Sequence, residues 1–224
     1  MVDRIVSFSV KYPLDMVSYL IILIPFTIGL TRYAYLRKEE RTFVYYFLLV
    51  FLKETAALAI MMAGYQIMYL HSVQSLIDIV FFGVAYAYIL HGYKCRTMLV
   101  LSAVLSLTSA LLFFETQDYS PVNQIAARLF AIVVVLLFFN DLVSQLRILH
   151  LFQYPMFWIS AGLLLYATGT FLIALFSRFL NSEITSDATY DFFWNMQQGL
   201  FILFCLFASA GFWVSRYESR QAVL

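Results

Sequence analysis

The sequence predicts an all-α polytopic membrane protein: a bundle of seven transmembrane helices, amino terminus outside and carboxyl terminus cytoplasmic. Three observations predict it. Of 224 residues, 63% are hydrophobic and only 12% charged, with a mean hydropathy of +0.84; a soluble domain carries about 25% charged residues. The apolar residues gather in runs close to the ~20 residues a helix needs to cross hydrocarbon. Lys and Arg are shared unevenly between alternate loops.

The runs are placed at 14–34, 42–65, 73–92, 97–115, 122–143, 156–180 and 192–214, all within one domain of residues 1–224. They are continuously apolar and lack the alternation of a barrel strand, so helices are the expected form. The first run follows Asp3, Arg4, Lys11 and Pro13 and ends in Arg32 rather than a small-residue cleavage site. It is therefore expected to stay in the protein rather than act as a cleaved leader. Pro25 interrupts it. The second run holds Lys53 and Glu54, the third Asp78, the fifth Gln124 and Arg128, and the seventh opens with Trp194, Asn195, Gln197 and Gln198. In the sixth, Gly162, Tyr166 and Gly169 fall on one face and allow a neighbouring helix to approach closely.

Orientation follows from the basic residues. With the amino end outside, the inner segments carry Arg32, Arg37, Lys38, Arg41, Lys94, Arg96, Arg147, Arg216 and Arg220. The outer segments carry only Arg4, Lys11 and Arg178. That bias over short loops favours the stated topology. Aromatics near span ends, among them Tyr35, Tyr154, Tyr190, Trp194 and Trp213, are expected as an interfacial belt.

Charge placed where lipid should be is the informative feature. Each such group costs roughly 2.5–3.5 kcal/mol if it faces lipid, so these side chains are expected to face protein or a wet cavity. Lys53 and Glu54 fall near the bilayer midplane. Neighbours on a helix diverge by about 100°, so the two are expected on different faces, with separate partners. Glu54 continues to Leu58, Met61 and Tyr65, a face suited to lining a pocket. Gln124 and Arg128, four apart, share a face. Either Glu54 or Asp78 can neutralise Arg128, the other carboxylate taking Lys53, which would bring the buried charge near zero. Glu54 is expected to be the most sensitive of these positions. The candidate site is thus Lys53, Glu54, Tyr65, Asp78, Gln124, Arg128, Trp194, Asn195 and Gln198, either as pins fixing helix packing or as an outward polar cavity for a ligand, proton or ion.

Other chemistry finds no residues to carry it. The last run contains no lysine for a retinal Schiff base, and GxSxG, HExxH and phosphate-loop patterns do not occur. His71, His91 and His150 are scattered, and Cys95 and Cys205 have no metal-ligand spacing and are not expected to pair. No catalytic residue, metal or cofactor is expected, and Lys+Arg 14 against Asp+Glu 13 argues against a nucleic-acid partner.

The last two runs read FWISAGLLLYATGTFLIALFS (157–177) and FWNMQQGLFILFCLFASAGFW (193–213). An FW opening, a G-x-x-x-Y-x-x-G-T-F core and a final G-F-W resemble uncharacterised small seven-helix membrane proteins of Bacteroidota, often encoded near sensor histidine kinases. The resemblance covers the last third of the chain and implies a bacterial inner membrane and a signalling neighbourhood. The residues and the resemblance together lead to the expectation of a membrane-embedded sensory or regulatory protein, with lipid around it and a small ligand or ion in its cavity. Little chain follows the last run, so its output is expected to need a separate protein, such as a histidine kinase, reading the inner loops at Arg32–Arg41 and Ser144–Tyr154. The alternative is a small secondary transporter or a proton or ion channel using the same charges.

Overall fold

The computed structural model describes residues 13–64, 68–90, 93–112, 121–145, 151–177 and 187–221. Within them the regular structure is helical, without a strand. The helices are α1 (Pro13–Ile21), α2 (Leu23–Thr31), α3 (Lys38–Met62), α4 (Met68–Ile89), α5 (Tyr93–Leu112), α6 (Pro121–Gln145), α7 (Pro155–Leu175) and α8 (Asp187–Gln221). Five rods are long and apolar enough to cross a membrane: the α1–α2 pair over Pro13–Thr31, α3, and stretches of α6, α7 and α8. The apolar stretches in α4 and α5, Val73–Ile89 and Cys95–Leu111, are shorter.

Local chemistry sets the ends. Pro25 has no N–H to give the carbonyl of Ile21, so the first rod breaks at Ile22 and resumes with the Phe26 N–H on the Ile22 carbonyl at 3.3 Å. The expected interruption is there, three residues before the proline itself. Helix α3 starts at Lys38, ahead of the apolar run expected from 42, because Glu40 caps it. Its Oε2 accepts the backbone N–H of Arg37 at 2.9 Å. Pro155 opens α7 after extended Tyr154, the position where a missing N–H costs nothing.

The rods close a ring. In order, α2 packs on α3, α3 on α4, α4 on α6, α6 on α7, α7 on α8, and α8 back on α1 and α2. Helix α5 sits outside it, chiefly against α4. Its approach depends on Gly83, where a Cβ would collide with the Cβ of Ser102.

One end of the ring carries Pro13, the end of α3 and the starts of α4, α6 and α8. The centre and the opposite, Thr31 end are filled by aromatic rings. Phe43, Tyr46 and Phe47 of α3, Phe82 and Tyr86 of α4, Phe138 of α6, and Phe204 and Phe212 of α8 are all buried. They pack edge to face, tilted or stacked, as in Tyr46–Phe82 at 5.2 Å, Phe47–Phe204 at 5.5 Å and Phe43–Phe82 at 6.1 Å between centroids. One aromatic expected in the interfacial belt lies elsewhere: Tyr154 is buried 6.2 Å from Phe138. Trp194 is half-buried and turns its indole towards α1. Tyr35, Tyr190 and Trp213 remain exposed.

Candidate functional site

The Pro13 half of the ring is hollow. A cavity of about 340 Å³ lies between α1, α3, α4, α6, α7 and α8. Helix α3 turns Lys53, Glu54, Leu58 and Met61 to it, α6 contributes Gln124 and Arg128, and α8 contributes Tyr190, Asp191, Trp194, Gln197, Gln198 and Phe201. The four-residue spacing that puts Gln124 and Arg128 on one helical face brings both to the same wall. The cavity is at the small end of ligand-pocket volumes, about 300–1,000 Å³.

The floor is a buried ion pair. Arg128 Nη1 donates to Asp78 Oδ2 at 2.5 Å, with side-chain exposures of 6% and 1%. Asp78 Oδ1 accepts from Tyr46 Oη at 3.0 Å and from Gln74 Nε2 at 2.6 Å. Arg128 Nη2 donates to Tyr166 Oη at 2.8 Å, and the guanidinium carbon stands 4.6 Å from the centroid of the same ring. Both charges are thereby neutralised and hydrogen-bonded, the condition for tolerating them away from water. Tyr166 is held in turn by stacking on Phe204, at 5.7 Å and 11° between planes. Helices α3, α4, α6, α7 and α8 thus meet at one cluster.

The walls are arranged differently. Lys53 Nζ lies 2.5 Å from Glu54 Oε1, with side-chain exposures of 10% and 39%. With Arg128 on Asp78, this is one of the two pairings expected, and what it corrects is only the expectation that the adjacent residues face separate partners. The backbone directions do diverge, but both side chains are long enough to bend back to one another. Of the two carboxylates open to Arg128, the fold uses Asp78, the more deeply buried. Across the cavity, Asp15 in the first turn of α1 accepts a hydrogen bond from Trp194 Nε1 at 2.8 Å. Tyr190 stacks on Trp194 at 6.4 Å and 12°.

The expected residues therefore divide. Lys53, Glu54, Gln124, Arg128, Trp194 and Gln198 line the cavity, and Asp78 anchors it from behind. Asn195 is exposed and lines no part of it. Tyr65 lies outside the described residues. Asp15, Tyr46, Gln74 and Tyr166 belong to the site without having been expected in it. A carboxylate in the first turn of an apolar run was the available signal for Asp15. Gln74 lies one helical turn before Asp78, and Tyr166 was legible only as part of a packing motif. Among the described residues no group of three His, Cys, Asp or Glu side chains is placed to hold a metal ion.

Two of the cations expected to meet a partner are engaged within the chain. Arg32 lies over Trp213 and Arg41 over Tyr33, each 4.7 Å from the ring centroid. In the second expected docking loop, residues 146–150 lie outside the described residues, and Phe152 beyond them is exposed.

No protein-family model, curated protein or solved structure matches the chain.

Proposed function

We propose that this is a membrane-embedded sensory or regulatory protein crossing the bilayer seven times, amino end out. In this reading a small solute enters the cavity from the Pro13 side and a shift in helix packing carries the message to the other face. The observation that supports it best is the continuity of α8. This helix walls the cavity from Tyr190 to Phe201 and then runs unbroken past Phe212 and Trp213. At 35 residues it measures about 52 Å, against a hydrocarbon core of about 30 Å. A rod of that length can translate a change at one end into a displacement at the other, as packed helices do when they shift by one to two ångströms. The ring of buried aromatics between the cavity and the Thr31 end favours this reading over a transporter or channel, which needs access from both sides.

The receiver would be a separate protein such as a histidine kinase, and the membrane a bacterial inner membrane, in keeping with the resemblance of the last two helices. With Arg32 and Arg41 held by aromatic rings, the surface left for such a protein centres on Lys38, Glu39 and Phe152. Photo-crosslinkers at Lys38 and Phe152 in native membranes should capture one defined protein. The purified chain in liposomes should move no solute or ion above background. Uptake or current from the chain alone, lost on Glu54→Gln, would decide for transport instead.

A further inference from the structure

We propose that the cavity binds a small organic ammonium ion, its charge set against Asp15 and Asp191 and its apolar body against the aromatic wall. The argument rests on charge and on shape. The cavity and its floor hold four carboxylates, Asp15, Glu54, Asp78 and Asp191, against two cations, Lys53 and Arg128. Arg128 is committed to Asp78 and Tyr166, and Lys53 to Glu54. Neither cation is left over to receive an anion. Asp15 and Asp191 have no cationic partner among the described residues, so the cavity carries an excess of about two negative charges.

The aromatic surface around those carboxylates supplies the second half of the argument. Tyr190 and Trp194 stand stacked beside Asp191 on α8, and Trp194 is fixed by its bond to Asp15. Further in, Phe201 packs on Tyr166 at 5.7 Å. Aromatic faces attract a cation through their quadrupole, and most strongly a poorly hydrated one such as an alkylammonium. A bare metal ion would have no use for this much apolar wall, and no group of three His, Cys, Asp or Glu among the described residues is placed to hold one.

The inference depends on reading the cavity as a ligand site, and the test is chosen to separate the two. The wild-type protein in nanodiscs of zwitterionic lipid is titrated, at constant ionic strength, with 2-phenylethylammonium, neutral 2-phenylethanol, the carboxylate 3-phenylpropanoate, tetramethylammonium and potassium. Thermal unfolding and tryptophan fluorescence report binding. At millimolar concentration the two ammonium ions should raise the unfolding midpoint and change the fluorescence, the change being lost in Trp194→Phe. Asp15→Asn should weaken ammonium binding about tenfold. Asp191→Asn, on the more exposed side of the cavity, should weaken it about threefold, and serves if the first variant does not fold. Equal response to the neutral probe, preference for the carboxylate, a shift from potassium alone, or no response to either ammonium ion overturns the proposal. Ammonium binding without a captured partner would sustain it while removing the sensory role. Partner capture without ammonium preference would do the reverse.

Discussion

At the scale of single residues, the Asp78–Arg128 pair controls both stability and the shape of the cavity floor. Removing one partner strands the other charge in a low-dielectric site, which costs about 3–5 kcal/mol. Arg128→Met and Asp78→Leu should each lower stability by that order, measured by thermal or denaturant unfolding in detergent. The double variant should regain a substantial part, because a matched apolar pair leaves no buried charge behind. Glu54→Gln should cost under about 1 kcal/mol, since its pair with Lys53 is open to the cavity and screened. Equal losses at Glu54 and Asp78, or additive effects of the Asp78 and Arg128 changes, would contradict the assigned pairing. Sequence reasoning found both charges and the need to neutralise them. It could not choose between two carboxylates on different helices, because the choice depends on how far each helix slides against α6.

At the scale of elements, close helix contacts rest on glycines whose tolerance can be ranked. A Cβ at Gly162 would stand 2.5 Å from the Cβ of Phe207, an atom tied to the α8 backbone, and one at Gly211 would stand 2.8 Å from the carbonyl oxygen of Pro155. At Gly169 the obstacle is the methyl end of Leu200, which can rotate away. At Gly199 there is open space. Alanine at Gly162 or Gly211 should therefore cost about 1–3 kcal/mol, and at Gly169 less. At Gly199, where only helix propensity changes, it should stabilise by up to about 1 kcal/mol. Melting temperatures of the four variants in one detergent give the order, and a Gly199 variant weaker than the Gly162 variant would invert it. The spacing of Gly162, Tyr166 and Gly169 made one smooth face legible in the sequence. Which helix fills that face, and which glycine has a rigid neighbour, required the coordinates of α8.

For the whole molecule, the testable consequence of the proposed topology is the side on which each end of the ring lies. Cysteines placed singly at Ala188 and at Lys38, with Cys95→Ser and Cys205→Ala as background, should react with an impermeant maleimide from opposite faces of intact cells, Ala188 from outside. Both reacting from one face would refute the seven-crossing arrangement, because the two positions would then be separated by an even number of crossings.

The sequence by itself determined that this chain is a set of long apolar helices, and roughly where each begins and ends. Hydropathy, proline and capping chemistry act within one helical turn of the residues that carry them, so Pro25, Glu40 and Pro155 act on their own segments. It also determined that Lys53, Glu54, Asp78 and Arg128 need partners, since an unpaired charge is costly in any apolar surrounding. Tertiary structure alone decided the ring order, the position of α5 outside it, and the choice of Asp78 for Arg128. It alone placed Asp15 opposite Trp194, two residues 179 positions apart. Such choices turn on axial offset and rotation between helices. Side chains hundreds of ångströms apart along the extended chain set those two quantities, and no local pattern records them.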